Sequence, residues 1–390
     1  MPFSVHENAV PTRSSCHCRR LKRWFVCRQL LAEADVPVYV FERTPQLEPR
    51  SRTLIVTPEV QRVLGCSVAA ATVNTVHTLD LCITTRTVPI SLGESDLVIE
   101  RAELVRMLAR KAEAAGAVLQ FEHDFIRVES AGDRALVGFL QRSTGAVTRV
   151  RARAIIAADG ARSHVARYLG QPRRPAVTVL QARVSRPPSA APGVGKVWFL
   201  PRETKYFYWL CPESRERAAV GLVDASPRAA RAKLDRFLAE RDMQPLEYQS
   251  ALIPLYQPNP RPFRRIGRTD IMFVGDAAGH VKVTTIGGSV TGLLGARAAA
   301  QALINGTNYL RELGKVEREL RLHWLVRGLM NQFSEYEYDV LLQLLDGQVG
   351  KLLAIHNRDR MAGVFLPILV MQPRLPLLAA QVLWRTGFRP

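Results

Sequence analysis

The chain has 390 residues, 47% of them hydrophobic, enough for two domains around a large core. Lys and Arg number 54 against 35 Asp and Glu, a formal net charge of +19, which favours anionic partners such as acidic lipid headgroups or phosphorylated substrates. The arginines are spread along the chain without interleaved aromatics, so no nucleic acid is expected; six scattered Cys exclude a disulfide scaffold and fit a reducing, cytoplasmic setting.

Residues 1–28 form an atypical segment. It is rich in Arg, Cys and Ser, and up to Arg23 it holds no apolar run of four. Neither a strand nor a signal peptide is therefore expected there. Cys16, Cys18 and Cys27 stand near His6 and His17, but their spacing matches no standard zinc site, and no metal is expected. From Leu30 a short helical stretch leads through Pro37 to the strand Val38–Phe41, which ends in Glu42 and Arg43. Arg101–Ala115 is an amphipathic helix with Leu104, Leu108 and Ala112 on one face, stopped by Gly116. Val118–Glu122, Arg134–Leu140 and Val150–Ala158 read as strands, the last ending in Asp159-Gly160. A short helix follows, with Ser163 placed to cap it and Arg167 placed to pair back with a carboxylate.

Between Thr178 and Tyr256 short alternating segments predict an antiparallel sheet, joined by the helix Pro227–Arg241. The strand Ile271–Val274 then runs into Gly275-Asp276, a loop, and Gly287-Gly288 opening a helix of small residues, Ala296–Ala302. Tyr309–Phe333 and Glu335–Leu345 are helical. The apolar segment Met361–Trp384 is interrupted by Pro367, Pro373, Arg374 and Pro376. It reads as short helices that pack on the body or lie on a membrane surface, since a spanning helix needs an unbroken run.

Two motifs carry the chemistry. In Asp270–Gly295 a carboxylate at a strand end can accept hydrogen bonds from sugar-like hydroxyls, and a glycine pair lets the next helix present bare N–H groups to an electron-rich ring or phosphate. The second motif is D-G-x-x-S-x-x-x-R at Asp159–Arg167. Together they resemble the flavoprotein superfamily with the para-hydroxybenzoate hydroxylase fold. Within it, GDAAGHVKVTTIGG is similar to the geranylgeranyl reductase branch, with Val283 for the usual Pro and Ser289 for a third Gly. Phe207–Pro212 is similar to that branch's Y-x-W-x-F-P motif, with Phe207 and Cys211 as departures.

The resemblance implies an α/β architecture: a discontinuous Rossmann-like FAD-binding domain (29–177 and 257–306), an inserted antiparallel substrate sheet (178–256) and a helical C-terminal region (307–390). It implies FAD, held by Glu42 with Arg43 at the adenosine ribose, by Arg101, by Asp159 and Gly160 near the pyrophosphate, and by Gly275, Asp276, Gly287 and Gly288 at the ribityl and ring. Phe207, Trp209 and Pro212 would line the substrate cavity, whose wall is expected to be the aromatic set Trp198, Phe199, Phe207, Tyr208 and Trp209 of the inserted sheet. His280 and Lys282 are the catalytic candidates, although as loop residues both are expected to be exposed. The family's N-terminal glycine loop should fall near Arg13–Cys18, yet no glycine precedes Gly65, and Thr44–Thr57 lacks the branch's Cys-Gly signature. The segment 1–28 is accordingly expected to be a shifted reading frame or wrong start, a hypothesis that peptides from Met1–Arg23 in purified protein would refute.

The implied activity is FAD-dependent reduction of carbon–carbon double bonds in a hydrophobic isoprenoid or lipid substrate, with NAD(P)H as a transient reductant and peripheral membrane contact. The alternatives are a monooxygenase of the same fold and a degenerate relative with weak or no FAD binding. The sequence does not set the oligomeric state.

Overall fold

A computed structural model of the chain describes residues 16–17, 30–31, 34, 36–47, 51–114, 118–258, 261–346, 358–363 and 365–387. Its organising layer is a six-stranded sheet ordered Phe263–Ile266, Thr269–Phe273, Ala154–Ala157, Cys16–His17, Tyr39–Phe41 and Val118–Gln120. All four residues of Ala154–Ala157 are buried, as expected of a parallel strand covered on both faces. The strand pairs in register with Thr269–Phe273, Ile155 opposite Ile271.

Cys16–His17 corrects the expectation that no strand precedes Leu30. These two residues lie between Ala157 on one side and Val40 and Phe41 on the other, parallel to both. The physical reason is backbone pairing: strands on either side leave ladder groups that must be satisfied, whatever side chains fill the gap. The expected glycine-loop position Arg13–Cys18 overlaps this strand; its remaining residues lie outside the described residues, as do the side chains of the Cys and His cluster.

The eight-stranded second sheet is ordered Pro245–Pro254, Ala176–Ser185, Arg217–Asp224, Tyr208–Pro212, Val194–Trp198, Thr72–Cys82, Thr87–Glu100 and Thr53–Val56. It therefore draws strands from 53–100 as well as from the expected 178–256. Thr72–Cys82 gives little sequence signal, because most of its residues are half-buried or exposed and its apolar positions do not alternate cleanly. Pro227–Ala239 covers the outer face through Ala230, Leu234, Phe237 and Leu238. Ser226 caps this helix by accepting from the Ala229 N–H, and Pro227 starts it.

The expected strand Val150–Ala158 divides at Arg153. Val147–Ala152 joins a small antiparallel sheet with His123–Ala131 and Arg134–Gln141, while Ala154–Ala157 enters the parallel sheet. Ser289–Asn305 packs on the parallel sheet through small residues, among them Gly295, Ala296, Ala299 and Ala300. Tyr309–Met330 lies against it, burying Leu313 and Leu320 completely, which is worth roughly 2 kcal/mol each. Glu335–Leu345 starts with a capping box between Ser334 and Glu337. Phe365–Met371 and Arg374–Thr386 are the last described helices.

Candidate active site

Three acids leave one edge of the parallel sheet. Glu42 follows Tyr39–Phe41, Asp159 follows Ala154–Ala157, and Asp276 follows Thr269–Phe273. The carboxyl ends of parallel strands are where such sheets bind ligands. Glu42 and Asp276 are buried, and Glu42 Oε1 accepts the Thr44 N–H at 3.1 Å. Arg43 is exposed. Asp159 Oδ2 accepts the N–H groups of His164 and Val165 at 2.6 and 3.1 Å, and Ser163 Oγ caps the same helix through the Ala166 N–H. Gly160, at φ 84°, allows the turn. The expected pairing of Arg167 does not form: the side chain is exposed and has no carboxylate partner among the described residues.

The loop after Asp276 is folded inward. Gly275 sits at φ 61°, and its N–H donates to His280 Nδ1 at 3.2 Å. Nδ1 is therefore an acceptor, which puts the neutral ring's proton on Nε2. The His280 carbonyl accepts from Thr291 Oγ1 at 2.7 Å, and the ring rests over Gly295, where any Cβ would collide with it. Lys282 and Gly287 exchange two backbone hydrogen bonds at 3.0 and 3.3 Å. Between them Ile286 holds φ 52°, a left-handed conformation rare for a β-branched residue. Such strain costs on the order of 1–3 kcal/mol and persists only where the surroundings fix it.

The expectation of exposure thus fails for both loop candidates: His280 is 0% and Lys282 4% exposed. Their roles separate. His280 braces the loop against the helix and does not line the cavity, whereas Lys282 does.

That cavity, about 450 Å³, lies between the two sheets, within the range of small-molecule sites. Asp276, Arg101, Gly287 and Gly288 line it, and so do aromatic and aliphatic side chains, among them Phe199, Phe207, Trp209 and Val223. Strand alternation corrects the expected aromatic wall. Trp198 and Tyr208 point to the opposite face and pack on Phe237. Pro212 does not line the cavity; its carbonyl accepts from Asn74 Nδ2 at 2.9 Å. Cys211 lines it instead, its thiol pushed well up by burial and so unreactive.

Lys282 belongs to a group of largely buried charges on the cavity wall whose other members, Asp359, Arg358 and Asp96, the sequence expectations do not include. Lys282 pairs with Asp359, which also accepts from Thr57 Oγ1, and Arg358 pairs with Asp96. Burial pushes Lys282 below its ordinary range and Asp96 above its own. Burial acts to raise Asp359 as well, but the Lys282 ammonium beside it, with Thr57 and Arg358, outweighs burial and holds the carboxyl low. These partners lie 77 and 262 residues apart, so no local motif signals them. Beside the cavity, Glu100 receives the N–H groups of Arg52 and Ala102, both at 3.0 Å, and pairs with Arg183 at 2.6 Å. This sets the start of the helix that carries Arg101.

The described residues fit the flavin and ribityl half of FAD. A Cβ on Gly288 would stand 2.9 Å from Val281 Cγ2 and 3.3 Å from the His280 carbonyl, so the cradle requires bare backbone. The helix after Gly288 has no side-chain cap, which leaves its first N–H groups for a ligand. Asp159 Oδ1 is buried without a hydrogen-bond partner among the described residues, an acceptor at the expected dinucleotide edge.

The sequence family described as FAD binding domain matches residues 25–308. The chain is 29% identical over 282 residues to digeranylgeranylglycerophospholipid reductase 2 of Methanothermobacter thermautotrophicus, covering 64% of this chain and 69% of that protein. It is 26% identical over 280 residues to digeranylgeranylglycerophospholipid reductase of Methanocaldococcus jannaschii, covering 64% and 68%. Among solved structures, a geranylgeranyl bacteriochlorophyll reductase-like protein from Thermoplasma acidophilum superposes with TM-score 0.77 at 18% identity, over 93% of this chain and 99% of that one. The p-nitrophenol 4-monooxygenase of Pseudomonas putida superposes with TM-score 0.71 at 14% identity, over 92% and 98%.

Proposed function

The chain belongs to the FAD binding domain family, and from that membership we propose that this FAD-dependent oxidoreductase reduces carbon–carbon double bonds in a hydrophobic isoprenoid-type lipid. The observation that carries the reading is one cavity whose lining joins the glycine pair and Asp276 to a set of aromatic and aliphatic side chains. Such a lining suits a long apolar chain better than a small polar ring.

When bound, FAD supplies the hydride for such a reduction. The protein's part is to bind, orient and exclude water. Asp276 and Glu42 accept hydrogen bonds from hydroxyls, and Arg101 offers a cation beside the cradle. The N–H groups after Gly288 stabilise negative charge. Trp209 and Phe207 hold the alkene-bearing chain in the same cavity. Hydride at one carbon requires a proton at its neighbour. Lys282 Nζ, inside the cavity next to Gly287 and shifted down by burial, is the candidate donor. Reducing equivalents come from transiently bound NAD(P)H.

The test is anaerobic turnover of an allylic isoprenoid phospholipid with FAD and a chemical reductant, read by mass spectrometry. The expected product gains two hydrogens per double bond. A product that instead gains oxygen, and only in air, establishes a monooxygenase. Protein that stays colourless with added FAD removes the flavoenzyme reading for this chain.

A further inference from the structure

The helices Phe365–Met371 and Arg374–Thr386 meet at 97°. Their inner face is ordinary packing: Ile368 against Leu345 and Leu375, and Leu378 and Val382 against Phe333, Tyr338 and Leu342. The outer face is not ordinary. Leu366 is 69%, Val370 73%, Leu377 62% and Trp384 92% exposed. Leu366 and Val370 are four residues apart and Leu377 and Trp384 seven, so each pair forms one helical stripe. With Met371 they make five of the fifteen exposed large apolar side chains among the described residues, concentrated in the last two helices. A patch of that kind marks a contact surface, whereas scattered exposed apolar residues do not.

Charge identifies the partner. From Arg360 to Pro390 the sequence has no Asp or Glu, but it has Arg360, Arg374, Arg385 and Arg389. Arg360 and Arg385 pair with Glu59 and Glu337 of the body yet stay half or more exposed, and Arg374 is exposed beside the stripe. An apolar stripe with a Trp, in a segment whose own charges are all cationic and on a chain of net charge +19, complements an anionic bilayer surface, where Trp prefers the headgroup level and Arg is attracted by acidic lipid. No single described helix is long and apolar enough to cross a membrane.

We propose that the bent pair 365–387 is an interfacial anchor that lies on an anionic lipid bilayer. Its inner face packs in the same cluster as Leu81, Phe199 and Met330, which also line the cavity. The anchor therefore sets that part of the cavity wall beside the membrane surface. Its use in delivering substrate rests on the lipid-reductase reading; the anchoring itself does not.

Co-sedimentation of the full chain with vesicles tests it, using a phosphatidylglycerol–phosphatidylcholine mixture and phosphatidylcholine alone. The wild type is expected to partition onto the anionic vesicles, and brominated lipid chains are expected to quench a part of the Trp emission that W384F removes. The triple variant L366E/V370E/L377E keeps every Arg and is expected to bind at least about tenfold less while retaining its flavin absorbance. The proposal is overturned if wild type stays in the supernatant. It is also overturned if the triple variant binds as well as wild type, since net charge alone would then account for binding. A dimer that the triple variant dissociates, without vesicle binding, overturns it too by assigning the face to a second copy. Vesicle binding without any alkene reduction keeps the anchor and defeats only the reductase reading.

Discussion

Trp209 lies across Gly221, its direct register partner on the neighbouring strand, and its ring occupies the space where a Cβ would stand. The same Cβ would also meet the Leu180 carbonyl at 2.6 Å and Gln181 Cβ at 2.7 Å. Gly221 is thus what lets an indole lie along the cavity wall instead of projecting into the channel. G221A is expected to destabilise the protein by about 1–3 kcal/mol through overpacking, and to raise KM for a long apolar substrate more than it lowers kcat. Thermal unfolding and steady-state kinetics check both. W209F should relieve only part of the cost, because the backbone oxygen and Gln181 remain in the way.

The Lys282–Asp359 pair fastens the C-terminal segment to the cofactor loop, and both side chains are almost wholly buried. Removing one partner leaves an uncompensated charge. K282A is expected to cost about 3–5 kcal/mol, whereas K282M/D359L, which removes both charges at similar volume, should recover most of that loss. Urea denaturation of the single and double variants gives the coupling. If Lys282 also donates the proton, the stable double variant still loses turnover, and its rate no longer depends on pH through that group. Full turnover in the double variant would confine Lys282 to a structural role.

The parts of this architecture visible in the sequence are those whose chemistry is local. Ala154–Ala157 announces itself by four consecutive apolar residues, Ser163 by its place before a helix, and Gly287-Gly288 by what a bare backbone permits. Cys16–His17 could not be seen, because its place is set by strands on either side and not by its own side chains. Nor could the burial of Lys282, whose partner lies in a segment distant in sequence. The aromatic wall was half legible. Alternation along Tyr208–Pro212 separates Trp209 from Tyr208, but which parity faces the cavity depends on which face the helix Pro227–Ala239 covers.

Asp276 gives the most direct reading of cofactor binding. Its carboxylate is buried at the end of a strand and adjoins the glycine cradle: Oδ1 stands 3.6 Å from where a Gly288 Cβ would lie. D276A is expected to weaken FAD binding at least about tenfold, the usual cost of losing a charge-assisted hydrogen bond. The flavin absorbance of purified protein and titration with added FAD measure it. H280A, by contrast, should lower stability by loosening the loop while leaving substrate KM nearly unchanged, since His280 does not line the cavity.

Glu100 controls the acid end of the stability profile. Burial acts to raise its pKa, but the Ala102 and Arg52 N–H groups, Arg183 and Ser51 outweigh burial and hold it below the ordinary 4.5. Glu59 and Glu337 are lowered in the same manner, by Arg360 and Arg62 and by Ser334 and Arg385, against the opposing effect of burial. A folded-state value below the unfolded one means that the unfolded chain takes up protons first. The contribution is therefore complete above pH 4.5 and is lost as pH falls through the lowered folded value. The part of the melting profile that these carboxylates set should stay flat down to about pH 5 and then fall, whereas His323, which burial holds below its ordinary 6.5, adds an earlier decline as pH drops past that value. E100Q is expected to lower stability at neutral pH by about 1–2 kcal/mol, because two N–H groups and Arg183 lose a charged acceptor, and to make the fall below pH 5 shallower. A parallel profile, merely displaced downward, would show that Glu100 acts through packing and not through its charge.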